Sequence, residues 1–128
     1  MPSVMFGMGV GAAGLLVLGT AHIGPAALVF LGIFLFAVGE MISSPRIQEY
    51  VTWIAPKEKA GLYMGSYFLS LMIGGSTSGL VYTKLYGMFS RAGVPEKVWF
   101  LMAGHLALGL AVFWLFVRLA GEFREQQV

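Results

Sequence analysis

Hydrophobic residues dominate four long segments of this chain, and short polar stretches separate them. The segments cover approximately residues 3–20, 25–54, 61–85 and 98–120. A helix rises about 1.5 Å per residue, so about 20 apolar residues cross the roughly 30 Å hydrocarbon core of a bilayer. Each segment is close to that length. The pattern therefore predicts an all-α integral membrane protein with four transmembrane helices.

The breaks between the segments are short and contain residues that end helices. They are Gly19 to Pro25, the turn APKEK at residues 55–59, and Ser90 to Pro95. Glycine and proline interrupt helical patterns, and short connections favour antiparallel neighbours. The sequence shows no second domain, no low-complexity linker and no repeat. We therefore expect residues 1–128 to form a single four-helix transmembrane unit.

Composition supports a membrane protein. The 128 residues are 58% hydrophobic and 11% charged, which is more apolar surface than one small soluble core can bury. The few basic residues lie between the apolar segments and form no nucleic-acid-binding surface. The expected partner is the lipid bilayer, with no nucleic acid. Cysteine is absent, which excludes disulfides and thiolate metal sites.

Basic residues also predict the orientation, because cytoplasmic loops of membrane proteins carry an excess of Lys and Arg. One side of the four-helix unit holds five of them and the other side three. The five are Arg46, Lys57, Lys59, Arg118 and Arg124; the three are Lys84, Arg91 and Lys97. This bias predicts a multi-pass protein of the cell membrane with both termini cytoplasmic.

Glu40 is the most informative residue of the second segment. The apolar run from Pro25 to Gly39 reaches only about 22 Å as a helix, which is too short to cross the membrane. The helix must therefore continue past Glu40, and Glu40 then lies near the middle of the bilayer. A carboxylate there should face protein or a water-filled cavity, be paired, or be protonated.

Two interpretations of Glu40 stay open. Ser43 and Ser44 lie three and four residues further on, and Pro45 predicts a helix kink that frees a backbone carbonyl one turn earlier. Such a polar, kinked turn is tolerated where it lines a cavity. Alternatively, Glu40 meets the headgroups and the segment after Pro45 is an amphipathic surface helix.

His105 lies inside the last apolar segment. Histidine gains and loses a proton near neutral pH, which makes His105 a candidate for proton coupling; the alternative is a neutral imidazole hydrogen-bonded across a helix interface. No other side chain has a spacing that would complete a metal site, and we expect no metal and no cofactor. Catalytic motifs are also missing, so an enzyme is not expected.

Small residues recur at four-residue spacing, a pattern that permits close helix packing in membranes. The pairs are Gly7 and Gly11, Gly61 and Gly65, and Gly75 and Gly79, and a stripe of Ser66, Ser70, Gly74 and Ser78 follows the third segment. We expect these positions to contact other helices of this chain or of a partner.

Three short motifs resemble the proton-dependent oligopeptide transporter branch of the major facilitator superfamily. They are GEMISSPRIQEY at residues 39–50, IAPK at 54–57 and YMG at 63–65. The resemblance implies that the four segments correspond to helices nine to twelve of a twelve-helix carrier. It further implies that Glu40 lines the peptide cavity, with Tyr67 and Phe68 beside the site.

The first functional hypothesis is therefore the C-terminal portion of a proton-coupled secondary transporter for peptides or similar small solutes, incomplete without the N-terminal helices. Glu40 would bind a cationic group of the substrate or a proton, and Ser43, Ser44 and Tyr67 would line the cavity. One alternative is a free-standing four-helix oligomer that transports small cations around paired Glu40 side chains. Another is a noncatalytic membrane subunit with a partner of different sequence.

Overall fold

A computed structural model describes residues 2–120 of the chain, and these residues form four long α-helices joined by short turns. Arg124, which contributed to the predicted orientation, and both chain termini lie outside the described residues. The helices are α1 (Pro2–Thr20), α2 (Ala27–Ile54), α3 (Ala60–Arg91) and α4 (Lys97–Ala120). Short 3-10 helices at Ala21–Ile23 and Lys57–Lys59 lie in the first two connections.

The all-helical fold class is confirmed, and the helix bounds follow the predicted segments closely. Helix α2 runs without interruption through Glu40 and Pro45 to Ile54, as the length argument required. Helix α3 is seven residues longer than expected, because it begins one residue earlier, at Ala60, and continues six residues past residue 85 to Arg91. The remaining ends differ from the predicted bounds by at most two residues.

Three of the described helical segments are long and apolar enough to cross a membrane. They are Pro2–Ile23, Ala27–Ile54 and Lys97–Leu119. Helix α3 is not among them, since its serines, threonines and glycines dilute its apolar residues. The structure therefore supports membrane association with three candidate spans within a four-helix fold.

Glycines bring α1 and α2 into backbone contact. A Cβ atom added to Gly39 would lie 2.6 Å from the carbonyl oxygen of Gly7, and one added to Gly14 would lie 2.6 Å from the amide nitrogen of Phe36. Only glycine permits so close an approach. The order of these contacts along the two helices shows that α1 and α2 are antiparallel.

Helix α1 is the centre of the fold, because it also packs along α4. The ring of Phe100 covers Gly19, and Leu106 reaches Gly11. Buried residues accordingly concentrate on α1, and α4 adds only Val98 and Ala103. The described fold is thus a layer in which α1 lies between α2 and α4.

Helix α3 stands apart from this layer. None of its residues is buried, and it touches α2 and α4 at few places. Its glycines have open space where a Cβ atom would lie, and large apolar side chains such as Met72 and Leu80 are about 70% exposed. Most of the surface of α3 is therefore available to lipid or to other helices.

Candidate functional site

Glu40 lies at the midpoint of α2. It is the fourteenth of the 28 residues of this helix, about 21 Å along the axis from Ile54. Its side chain is exposed, and its carboxylate has no hydrogen-bond or ion-pair partner among residues 2–120. The residue thus presents an open carboxylate halfway along a helix of membrane-spanning length.

The preceding residue fixes the direction in which Glu40 points. Gly39 is buried against the backbone of α1, and one residue along a helix corresponds to a rotation of about 100°. Since Gly39 cannot leave the α1 contact without separating the two helices, α2 cannot rotate freely about its axis. Glu40 is therefore held beside the α1–α2 interface rather than inside it.

The two candidate serines have different environments. The Ser43 hydroxyl donates a 2.9 Å hydrogen bond to the carbonyl oxygen of Gly39, and its Cβ lies 3.1 Å from the position of a Cβ on Gly7. Ser43 therefore belongs to the contact with α1. Ser44 is exposed, one helical turn beyond Glu40, and shares its open side.

Pro45 lies inside α2 without ending it. Proline has no amide hydrogen, so the carbonyl oxygen of Met41 lacks its usual helical donor. That carbonyl lies one residue beyond Glu40 and adds an acceptor to the same part of the helix. A bend of α2 at Pro45 stays a prediction.

Tyr67 lies at a different depth from Glu40. It is seven residues, or about 10 Å, beyond the start of α3, whereas Glu40 is about 21 Å from the end of α2. The half-buried Tyr67 packs against Phe68, with ring centroids 5.4 Å apart. At the depth of Glu40, α3 instead places Gly74, so the structure does not join Tyr67 and Glu40 in one cluster.

His105 forms the polar contact that joins α3 to α4. The Tyr82 hydroxyl lies 2.6 Å from Nδ1 of His105, across 23 positions of sequence. The other side-chain hydrogen bonds of α3, including those of Ser66 and Ser70, return to its own carbonyl groups. His105 thus has the interhelical hydrogen bond expected of an imidazole at a helix interface.

Sequence reasoning missed Tyr82. The signal was present, because the four-residue stripe that runs from Ser66 through Ser78 reaches Tyr82 at its next step. Tyr82 was not selected as a candidate because a tyrosine in an apolar helix is usually an interfacial or packing residue.

Tyr82 and His105 both line a small cavity of about 280 Å³, to which all four helices contribute residues. Leu15 of α1 and Phe36 of α2 contribute to it. Phe36 lies one turn before Glu40, but Tyr82 is about 12 Å further along the fold than Glu40. The two candidate proton-coupling residues therefore occupy separate positions.

The chemistry available at these positions is binding and proton exchange. A carboxylate can accept a proton or pair with a cation, and an imidazole can accept or donate a proton. Among residues 2–120, no three His, Cys, Asp or Glu side chains lie close enough together to hold a metal ion.

Comparison of the chain with protein-family models, with curated proteins and with solved structures finds no match.

Proposed function

We propose that this chain is a membrane-embedded portion of a proton-coupled secondary transporter for peptides or similar small solutes, and that it works together with further helices. Its spans would correspond to helices nine to twelve of a carrier like the proton-dependent oligopeptide transporters. The observation that carries the proposal is Glu40, an exposed carboxylate at the midpoint of a 28-residue apolar helix, with no partner among residues 2–120.

An ionised Glu40 at this position raises the free energy of the protein in the membrane unless a proton or a cation compensates its charge. An ionised carboxylate at the bilayer centre costs about 2.5–3.5 kcal/mol on insertion scales. No cation among residues 2–120 pairs with Glu40, so in this proposal the compensation comes from a proton, a cationic substrate group or a cation on another helix. Binding and releasing such a partner is the elementary step of a proton-coupled carrier.

Helix α3 would be the fourth span in this proposal. Its first 24 residues, from Ala60 to Thr83, contain no charged side chain and extend about 36 Å. The hydroxyl groups of Ser66, Ser70 and Ser78 all donate to carbonyl oxygens of α3 itself, so their burial in lipid or protein leaves no donor unpaired.

The open surface of α3 supports the requirement for further helices. Apart from the adjacent residues and backbone of α3 itself, no atom lies within 4 Å of a Cβ added to Gly61, Gly65, Gly75 or Gly79, although small residues at this spacing allow helices to approach closely. The same pattern on α1, at Gly7 and Gly11, is used for contact with α2. We propose that a partner helix covers α3 in the working transporter.

Uptake measurements test the proposal. The chain is co-expressed with the first eight helices of a proton-dependent oligopeptide carrier, and uptake of a labelled dipeptide is followed under an imposed proton gradient. We expect Glu40→Gln to lower proton-driven uptake at least tenfold. Glu58→Gln is the matched control, because it removes a carboxylate from the exposed α2–α3 turn. Equal uptake by the two variants would refute the role of Glu40.

A further inference from the structure

A cleft between α3 and α4 lies on the side of these helices that faces away from α1. Its volume is about 620 Å³, which is within the usual range for small-molecule sites. On α4, Leu108 lines the cleft and is rotated about 160° around the helix from Leu106, which contacts α1. The cleft therefore opens outward from the fold rather than toward the layer of α1, α2 and α4.

Two glycines, one on each helix, give the cleft its space. Gly74 of α3 and Gly104 of α4 both line it. Apart from the adjacent residues and backbone of each helix, no atom lies within 4 Å of a Cβ added to either glycine. The absence of both side chains leaves room for a ligand between the helices. Most of the remaining wall is apolar and consists of Val81, Phe100, Leu101 and Leu108.

No charged residue lines this cleft in the part of the chain that the structure describes. Its α4 residues extend from Phe100 to Leu108, about 4 to about 17 Å along the helix from Lys97. Helix α4 is one of the candidate spans, so these residues lie within the hydrocarbon when α4 crosses a membrane. An ion without a counter-charge is costly at this depth, and a ligand of the cleft is therefore uncharged.

Tyr82 and His105 also line the cleft, and the hydrogen bond between them leaves one polar hydrogen unused. If the Tyr82 hydroxyl donates to Nδ1, the neutral imidazole carries its hydrogen on Nε2. If Nδ1 donates instead, the phenolic hydrogen is left over. Neither side chain has another hydrogen-bond partner among residues 2–120. The Tyr82–His105 pair thus offers one free donor in either tautomer.

Thr77 adds a second free donor to the cleft. The hydroxyl groups of Ser78 and Thr83 donate to carbonyl oxygens of α3, whereas the hydroxyl of Thr77 has no partner among the described residues. Thr77 is five residues from Tyr82, about 7.5 Å along the axis of α3. A donor without an acceptor raises the free energy in an apolar environment, so both positions favour a ligand that brings oxygen acceptors.

From this arrangement we propose that the α3–α4 cleft binds a neutral, apolar ring compound with two carbonyl groups, such as a quinone. The apolar walls contact the ring, and its carbonyl oxygens accept hydrogen bonds from the Tyr82–His105 pair and from Thr77. A lipid acyl chain also fits an apolar cleft, but it leaves both donors unpaired. The proposal requires α4 to lie in a membrane and does not depend on transport, so peptide uptake and ligand binding are tested separately.

Binding of menadione, a neutral naphthoquinone with two carbonyl groups on one ring, tests the proposal. The chain has no cysteine, so thiol adducts of menadione cannot imitate binding. The full chain is reconstituted in phosphatidylcholine vesicles, and radiolabelled menadione is measured by flow dialysis against protein-free vesicles. We expect a saturable component above the linear partition into lipid. Methylnaphthalene keeps both rings without the carbonyl groups, and it should compete about tenfold less well because two hydrogen bonds are lost.

Donor variants test the two hydrogen bonds. The double variant Tyr82→Phe/His105→Leu removes the free hydrogen of the pair and should weaken menadione binding about fivefold. Each single variant leaves one donor in place and should bind more tightly than the double variant. Thr77→Val keeps the branched shape and the Tyr82–His105 bond, and it should also weaken binding about fivefold. It tests the site even if the double variant folds poorly.

Two glycine variants locate the binding. Gly74→Leu fills the cleft and should abolish the saturable component. Gly75→Leu is the matched control, because it adds the same side chain to the next residue, which also has open space but does not line the cleft. This variant should retain menadione binding.

Three results would overturn the proposal. Purely linear partition of menadione would show that the chain has no site for it. Equal competition by methylnaphthalene would show an apolar space that any hydrocarbon fills, including a lipid chain. An equal loss of binding in Gly74→Leu and Gly75→Leu would place the bound menadione outside the cleft.

Discussion

Gly39 and Glu40 are consecutive residues with contrasting environments. Gly39 is buried where the backbones of α1 and α2 meet, and Glu40 is exposed beside that contact. The close approach at Gly39 prevents rotation of α2, and so it also sets the direction of the Glu40 carboxylate. At the scale of single residues, a packing glycine therefore positions the candidate functional group.

Replacing Gly39 should loosen this contact. In Gly39→Ala the new Cβ would lie 2.6 Å from the carbonyl oxygen of Gly7, and backbone atoms cannot move aside cheaply. Overpacking of this kind typically costs about 1–3 kcal/mol. We expect a corresponding loss of unfolding free energy for the protein in detergent micelles, measured by circular dichroism during titration with dodecyl sulfate.

Gly75→Ala is the matched control for this measurement. Gly75 also lies inside a long helix, but nothing approaches the position of its Cβ. Alanine has the higher helix propensity, so this variant should be as stable as the wild type or slightly more stable. Equal destabilisation by the two alanines would show that the α1–α2 contact does not depend on Gly39.

Tyr82 and His105 provide a second test at the residue scale. The 2.6 Å contact between the hydroxyl group and Nδ1 predicts a coupling between the two side chains. Interhelical hydrogen bonds in membrane proteins contribute about 0.6 kcal/mol on average and up to about 1.7 kcal/mol. A double-mutant cycle with Tyr82→Phe and His105→Leu should give a coupling in this range, and a coupling near zero would contradict the contact.

Sequence reasoning reached some of these residues and not others, for physical reasons. Glu40 could be predicted from the sequence, because a charged residue stands out in an apolar segment and because the length of the helix determines the position of the residue along it. The difference between Ser43 and Ser44 could not be predicted from the sequence, since it depends on which face of α2 contacts α1. The Tyr82–His105 bond joins residues 23 positions apart, and only the packing of α3 against α4 reveals it.

At the scale of elements, hydrophobic length was a better guide than local propensity. Pro45 and the serine pair would favour a helix end near residue 44, yet α2 continues to Ile54. The continuation gives α2 the length that a membrane span requires, whereas a helix that stopped at Glu40 would be too short to cross the hydrocarbon core. For α3 the same criterion is less decisive, because polar and small residues interrupt its apolar sequence.

The spanning character of α3 can be measured directly. If α3 crosses the membrane, the turn around Glu58 and the turn around Ala92 lie on opposite sides. The natural chain has no cysteine, so Glu58→Cys and Ala92→Cys each introduce a single thiol. In sealed right-side-out vesicles, we expect a membrane-impermeant maleimide to label only Ala92→Cys.

Inside-out vesicles supply the control for this experiment, and the labelling pattern should be reversed in them. Labelling of both thiols from the same side would show that α3 lies along one surface, so that the chain has three spans. That result would also place the charge-free residues of α3 at the membrane interface and contradict its proposed role as a span.

At the scale of the whole molecule, the four helices contribute unequally. Helix α1 contacts both α2 and α4 along its length and contains most of the buried residues, whereas α3 contains none. In a membrane, apolar side chains of a helix that do not pack within the fold face either lipid or another protein. In the proposed transporter, the exposed carboxylate of Glu40 and the open glycines of α3 would contact groups beyond residues 2–120.

Those contacts differ between the transporter proposal and a symmetric oligomer, and crosslinking distinguishes the two. An oligomer that pairs its Glu40 carboxylates must bring position 40 of two copies together. In the proposed transporter, Glu40 instead faces a substrate or a different helix.

We therefore expect Glu40→Cys, oxidised in native membranes with copper phenanthroline, to form no more disulfide-linked dimer than Phe34→Cys. Phe34 is 64% exposed on the same helix and controls for random collision. Rapid dimer formation by Glu40→Cys but not by Phe34→Cys would contradict the transporter proposal and favour the oligomer with paired carboxylates. Random collision would not explain that difference, because both variants are tested in the same membrane at the same protein density.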